Sequence, residues 1–185
     1  MMWVGLALAA ALGALVIVLF NGLVKRQQMA RNGWSDITVQ LKRRADLIPQ
    51  LVETVKGYAR HERDLLADVV ERRNAALSAG DDVRARGASE ARLQRGERRL
   101  LALAEAYPDL KSDQNFRDLQ AELSDTEDKI EMARRFYNGA VRELNTAVET
   151  FPGNLVAGAF GFGQREYFEL DDPGDANMPD VEFGA

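Results

Sequence analysis

The sequence predicts an all-α protein: one N-terminal transmembrane helix followed by an antiparallel helical bundle of three long helices and a short fourth. Three observations support this fold class. The first 24 residues are uncharged and almost all apolar, two later stretches repeat apolar residues at alternating steps of three and four, and proline and glycine separate these stretches. We expect a membrane anchor at residues 1–24, a bundle at 25–168 and an acidic tail at 169–185.

The anchor segment, residues 2–24, contains no charged side chain, and Asn21 is its only strongly polar residue. At about 1.5 Å per residue, a helix of this length crosses a hydrocarbon core of roughly 30 Å. A cleaved signal peptide and a buried core helix are the alternatives, and the absence of basic residues before the run disfavours the first. The anchor residues expected to face lipid are Trp3, Leu6, Leu8, Leu12, Leu15, Val16, Ile17, Val18, Leu19 and Phe20.

Basic residues follow the anchor, whereas none precedes it. Residues 25–99 carry 17 Lys and Arg against 11 Asp and Glu, and residues 100–185 carry 7 against 18. By the positive-inside rule, this asymmetry predicts an outside N-terminus and a cytoplasmic bundle. Anionic lipid explains the basic side chains better than nucleic acid does, so we expect the bilayer, and no nucleic acid, as a partner. The membrane-proximal basic set is Lys25, Arg26, Arg31, Lys42, Arg43 and Arg44.

The first bundle helix is predicted from a coiled-coil-like seam between positions 34 and 76, at which ten of thirteen residues are apolar. A strand cannot produce this period over such a length. We expect the helix to run almost unbroken from the membrane to about Ser78. Pro49 removes a backbone donor and should kink it.

Proline and glycine residues in the later sequence mark the ends of the remaining bundle helices. A second helix is predicted at about residues 88–107, a third with an apolar seam at 116–151, and a short helical turn at 155–160. Ser112 or Asp113 is a candidate N-cap for the third helix. Because the first helix is the longest, a bend, a short fourth helix or a neighbouring copy must cover part of it, and we expect a homo-oligomer.

Three charged side chains, Arg44, Glu62 and Arg72, occupy seam positions of the first helix. In one interpretation they lie at the edge of the seam and extend their charges into solvent. In the other they pair with groups on the third helix, such as Glu127 or Arg134, and set the register of the bundle. Both interpretations stand.

The sequence contains no recognisable catalytic or metal-binding motif. There is no cysteine, and the single histidine, His61, lacks the Glu-x-x-His context of di-iron bundles. Glu122, Glu127 and Glu131 are more simply a solvated or ion-paired face. The spaced glycines of residues 158–163 follow no strand, so a phosphate-binding loop is not expected. We therefore expect no cofactor, no metal and no enzyme activity.

Aromatic residues concentrate after the third helix. They either cap the bundle or form a docking surface between copies. The acidic segment 171–185, with Val181 and Phe183 as isolated apolar residues, is typical of a short docking motif. The interface candidates in this region are Phe160, Phe162, Tyr167 and Phe168.

Several sequence blocks resemble the LemA family. They read RNGWSDITVQLKRRADLIP at 31–49, VETVKGY at 52–58, HE at 61–62, AYPDLK at 106–111, RRFYN at 134–138, NT at 145–146 and FPGNLVA at 151–157. Nearly the whole chain is covered, although residues 80–99 are richer in arginine and glycine than the family pattern.

The resemblance implies a single-pass bacterial inner-membrane protein with a cytoplasmic helical bundle and no known reaction. It further implies a role in membrane organisation, or a membrane-protein partner that carries a TPM-type domain. The matched polar residues receive a structural or interface role and no catalytic one. They are Asn32, Gln40, Asp46, Glu127, Asn138 and Asn145.

Two functions are consistent with these observations. The first is a membrane-anchored scaffold that self-assembles through its bundle to organise or shape the membrane. The second is an adaptor or signalling module that docks a partner protein through its C-terminal tail. Only residues 25–33 separate the anchor from the bundle, and such a stiff junction would transmit the orientation of the bundle to the membrane. This favours the scaffold.

Overall fold

The structure is a computed structural model that describes residues 1–170, and that range contains no strand. Its helices are α1 (Met2–Tyr58), α2 (Arg63–Ser78), α3 (Val83–Ala102), α4 (Pro108–Ser112), α5 (Gln114–Glu149) and α6 (Gly153–Phe160), with a 3-10 turn at Leu103–Glu105. The predicted all-α class, with one long apolar N-terminal helix and a helical bundle, is confirmed.

The chain forms two compact units. The first comprises Met1–Thr38 and Glu131–Tyr167, and the second comprises Val39–Ile130 and the segment that begins at Phe168. The helices α1 and α5 each contribute residues to both units.

The predicted continuous first helix is wrong beyond Tyr58. The helix α1 continues through Pro49, but it ends at Tyr58, and α2 begins at Arg63. The chain reverses there, so that Arg73 Nε of α2 donates to the backbone oxygen of Ala45 in α1 at 2.8 Å. Burial of the apolar face of α2 against α1 therefore outweighs the local tendency to extend the helix.

The sequence suggested that part of a long first helix would need another element to cover it, and this reversal removes that need. The part of the first helix that was expected to need a cover is folded back as α2. Its Leu66 and Val69 belong to the same buried cluster as Val52 and Val55 of α1. The homo-oligomer expected from uncovered length therefore loses that support and stays a prediction.

Side-chain caps set two helix starts. The helix α3 begins five residues before the predicted 88, because Asp82 Oδ1 accepts from the Ala85 amide at 2.7 Å. Asp113 Oδ1 accepts from the Phe116 amide at 2.9 Å at the start of α5, so Asp113, one of the two predicted candidates, is the cap. The second predicted helix ends at Ala102 rather than 107, because the chain tightens into the 3-10 turn before α4.

The second unit has a continuous apolar core built from α1, α2, α3, α4 and α5. The members that are fully excluded from solvent come from four of these helices. They are Ile48, Leu51 and Val55 of α1, Val69 of α2, Leu93 and Leu100 of α3, and Leu110 of α4, to which the linker after α1 adds Ala59.

The first unit packs α1 closely against α5 and α6. A Cβ added to Gly33 of α1 would lie 3.0 Å from the Cα of Tyr137, so a side chain at this position would push the two helices apart by a few tenths of an ångström. Beside it, the rings of Trp34 and Tyr137 lie 5.5 Å apart. Gly161 adopts a φ of 73° and ends α6, and the Phe162 amide then donates to Ala157 O at 2.9 Å.

Candidate functional site

The apolar end of α1 divides into an exposed part and a covered part. Within residues 1–170, α1 is the one helix long and apolar enough to cross a membrane, with a mean hydropathy of 2.6 over its best window. The predicted anchor residues from Trp3 to Val18 are all exposed, whereas Leu19 and Phe20 are half-buried. Burial of α1 thus begins before the predicted end of the anchor at Val24.

The covered part of the anchor is held by α6 and the turn that follows it. The ring of Phe20 lies 5.0 Å from that of Phe160 and 5.5 Å from that of Phe162, both in edge contacts. Leu23, one turn further along α1, is buried against Val156 and Ala157 of α6. The base of the anchor is therefore clamped by the C-terminal part of the first unit.

The segment after α6 is tied back to α5. Asn145 Nδ2 donates to Arg165 O at 2.9 Å, and the Arg165 amide donates to Asn145 Oδ1 at 2.8 Å. Tyr137 Oη donates to Glu166 O at 2.9 Å, and burial raises the pKa of the Tyr137 phenol. These three hydrogen bonds, one pair from the candidate Asn145 and one from Tyr137, which was not a candidate, hold the segment after α6 against α5.

The remaining aromatic and amide candidates lie in different surroundings. Phe162 is half-buried against the anchor, Phe160 and Tyr167 are exposed, and Asn138 is half-buried on α5. Phe168 is fully buried in the second unit, where its ring approaches Gly87 of α3. The expected acidic docking tail, residues 171–185, lies outside the described residues.

A buried ion cluster joins three helices of the second unit. Arg44 of α1 is fully buried and donates to Glu90 Oε2 of α3 at 2.5 Å and to Glu127 Oε2 of α5 at 3.0 Å. Arg86 also donates to Glu90, at 3.0 Å, and Gln94 donates to Glu127 at 2.5 Å. Because the bonds of Arg44 and Gln94 each join residues of two different helices, the cluster constrains how α1, α3 and α5 align.

Glu97 lies beside this cluster and is 7% exposed. Its Oε2 makes no hydrogen bond within residues 1–170. Burial raises the pKa of Glu97 to about 7; the neighbouring Arg44 opposes this rise, and Glu127 adds to it. A carboxyl group that titrates near neutral pH thus sits inside the second unit.

The charged seam candidates differ in their surroundings. Arg44 pairs with Glu127, as the second of the two interpretations proposed, and it does not face lipid headgroups, contrary to its place in the membrane-proximal set. Arg72 instead pairs with Asp68 on its own helix at 2.8 Å. Glu62 precedes the first residue of α2, and its side chain makes no capping hydrogen bond.

The other basic candidates lie mainly at the surface. Lys25, Arg31 and Arg43 are exposed, and Lys42 pairs with Asp46 at 2.9 Å. Arg26 is half-buried and donates to Gly22 O at 3.1 Å.

Sequence reasoning named Glu127 but missed the members of the ion cluster on α3, Arg86, Glu90 and Gln94. A signal for it exists, because Arg86, Glu90 and Glu97 share a seam with Leu93 and Leu100, at steps of four, three, four and three. Charges at seam positions of two different helices indicate partners for each other. The predicted start at residue 88 left Arg86, the first member of this seam, outside the helix.

An open groove of about 950 Å³ lies between α1 and α2 in the second unit. Val52, Leu66 and Val70 form its apolar floor, and Val70 is 37% exposed. The rim carries charges of both signs: Glu53, Lys56, Arg60, Arg63 and Glu71.

The described residues contain no group of three or more His, Cys, Asp or Glu side chains placed to hold a metal ion. The expectation of no metal, no cofactor and no enzyme activity stays a prediction.

The fold and these sites define a membrane-associated all-helical protein. A model of the LemA family matches residues 33–183. The chain belongs to the LemA family.

Relatives with this similarity come from several organisms. Magnetosome protein MamQ 2 of Paramagnetospirillum magneticum is 24% identical over 88% of this chain and 69% of its own length. Magnetosome protein MamQ of Magnetospirillum gryphiswaldense is 23% identical over 86% and 68%. Protein LemA of Metamycoplasma hominis is 26% identical over 74% of this chain and 63% of its own length.

Proposed function

We propose that this chain is a non-enzymatic, single-pass scaffold of the bacterial inner membrane, and that its cytoplasmic helical bundle self-assembles to organise or shape that membrane. The exposed basic residues Lys25 and Arg31 directly after the span support the orientation. The names of the related proteins state no reaction, which is compatible with a scaffold.

The observation that carries self-assembly is the groove between α1 and α2. An apolar floor formed by Val52, Leu66 and Val70 is left open between helices that are otherwise packed. A second copy is its proposed occupant, because the rim holds acidic and basic residues together. A two-fold interface then places the acidic part of each rim opposite the basic part of the other.

The first unit supplies the link to the membrane. The helix α1 is unbroken from the span into this unit, and α6 clamps its base through Phe20 and Leu23. The span and the first unit therefore turn together. An assembly of such chains would impose a fixed orientation on many spans, which is what a membrane scaffold requires.

The proposal is tested by placing a charge in the groove of the full-length protein. Val70→Glu puts a carboxylate on the apolar floor, whereas Leu77→Glu puts one on an exposed position of the same helix, outside the groove. Sedimentation in detergent should show a large complex for the wild type and Leu77→Glu. An unpaired charge buried in an interface costs about 2–5 kcal/mol, so Val70→Glu should dissociate at a protein concentration at least about tenfold higher.

Equal masses for Val70→Glu and Leu77→Glu would show that the groove does not join copies. A wild-type protein that sediments as a monomer would contradict self-assembly altogether.

A further inference from the structure

The segment that clamps the anchor has an unusual surface. Residues 151–163 contain no charged side chain, and they include α6. Phe151 is 79% exposed, Leu155 64% and Phe160 57%. Three large apolar side chains in one short uncharged segment are thus left uncovered within the described part of the chain.

The position of this segment along the anchor is set by direct contacts. Residues 1–18 are exposed throughout, and at 1.5 Å per residue they extend about 27 Å, close to the thickness of a bilayer hydrocarbon core. The next residues, Leu19 and Phe20, are those that pack against α6 and Phe162. The ring of Phe160 lies 5.0 Å from that of Phe20, so it lies at the level where the exposed stretch of α1 ends.

We propose that residues 151–163 bind the bilayer itself, with Phe151, Leu155 and Phe160 inserted at the boundary between headgroups and acyl chains. Aromatic side chains favour this depth, and a short uncharged helix can lie there with its apolar side in lipid. The membrane contact of the protein is then wider than a single helix. It consists of the span and a shallow wedge in the leaflet next to the bundle.

The bilayer is a better occupant for this surface than a second copy. The hydrogen bonds of Asn145 with Arg165 and the packing of Leu23 with Val156 hold the segment against the anchor. Since α1 carries the anchor into the membrane, the segment must reach the interface with it. The exposed basic residues Lys25 and Arg31 lie just beyond this level, where anionic headgroups would attract them. The inference is independent of self-assembly through the groove.

The absence of cysteine from the sequence allows one labelled position at a time. Leu155→Cys and Phe160→Cys, each carrying an environment-sensitive fluorophore, are reconstituted as full-length protein in vesicles containing anionic lipid. Phe136→Cys is the matched control. Phe136 is 49% exposed in the same unit, and it contacts Gly33, which lies about 20 Å further along α1 than Phe20.

Labels at Leu155 and Phe160 should emit at shorter wavelength than the label at Phe136. A lipid that carries a nitroxide near its headgroup should quench them, and aqueous iodide should not. Aqueous iodide should quench the label at Phe136, and the nitroxide lipid should not. Two protein-to-lipid ratios are compared, and the protection at Leu155 and Phe160 should be the same at both.

Two results would overturn the proposal. If iodide quenches the labels at Leu155 and Phe160 as strongly as the label at Phe136, the segment lies in water. If they are protected only at the high protein-to-lipid ratio, a second copy covers this surface and the bilayer does not.

Discussion

Replacing Glu97 by glutamine should remove a pH dependence of stability that the buried carboxyl group imposes on the second unit. The pKa of Glu97 is raised from 4.5 to about 7, chiefly because burial disfavours the charged form. Arg44 is close enough to oppose this shift, but its guanidinium is already engaged by Glu90 and Glu127. Glutamine keeps the shape of the side chain and cannot ionise.

The direction of this pH dependence follows from the number of protons bound by the folded and the unfolded chain. Below pH 4.5 both the folded and the unfolded chain carry the proton, and Glu97 has no effect on stability through its charge. Between pH 4.5 and about 7 the folded protein holds the proton and the unfolded chain has lost it, so the free energy of unfolding falls as pH rises. Above pH 7 the folded protein carries the full free-energy penalty of burying an ionised Glu97. The separation of the two pKa values corresponds to roughly 3 kcal/mol.

Urea unfolding of the full-length protein in detergent, followed by circular dichroism between pH 4.5 and 8.5, measures this effect. The difference in unfolding free energy between Glu97→Gln and wild type should rise by roughly 3 kcal/mol across the range, in favour of the variant. Glu105→Gln, at an exposed position, should give a nearly constant difference.

A difference for Glu97→Gln that stays constant with pH would refute the reasoning. So would a variant that becomes less stable than wild type at high pH, because Glu97 would then be ionised and stabilised by Arg44.

Two further substitutions test the packing of each unit. Arg44→Met removes one of the two arginines that contact Glu90, while Arg86 stays paired with it, and should cost about 1–3 kcal/mol in urea unfolding. An Arg44→Met variant as stable as wild type would show that the pair is not needed. Gly33→Val forces a side chain against Tyr137 and should cost about 1–3 kcal/mol, whereas Gly139→Ala, where nothing lies within 4 Å, should stabilise α5 by about 0.5–1 kcal/mol. Thermal melting followed by circular dichroism measures the stability of Gly33→Val and Gly139→Ala. Equal shifts of the melting temperature for these two variants would contradict the close approach of α1 and α5 at Gly33.

Features that depend on neighbouring residues in the chain could be predicted from the sequence. The apolar run of the anchor, the cap at Asp113 and the short helix after Pro152 each follow from a few consecutive residues. Asn145 was also found, but only through a family resemblance. Its partner, the backbone of Arg165, is 20 residues away, and no periodicity connects the two.

The reversal after Tyr58 could not be predicted from the same periodicity. The linker between α1 and α2 is four residues long, which is close to one helical turn, so the apolar phase of Val55 continues into Leu66 and Val69 as if the helix were unbroken. Periodicity identifies the residues that are buried. It does not identify the helix against which they pack.

Part of the ion cluster could be predicted from the sequence. Arg44 stood out at a seam position, and Glu127 was named as a partner. Glu90, which binds Arg44 at 2.5 Å, was missed although it lies inside the helix predicted at residues 88–107. A charge on a seam indicates a buried partner, but the identity of that partner depends on the alignment of helices far apart in the chain.

The mass of the purified full-length protein in detergent, measured by light scattering over a dilution series, tests the scaffold most directly. The chain alone has a mass of 20.6 kDa. Self-assembly predicts a protein mass several times larger that approaches this value only on strong dilution. A single species at 20.6 kDa at every concentration would contradict the scaffold.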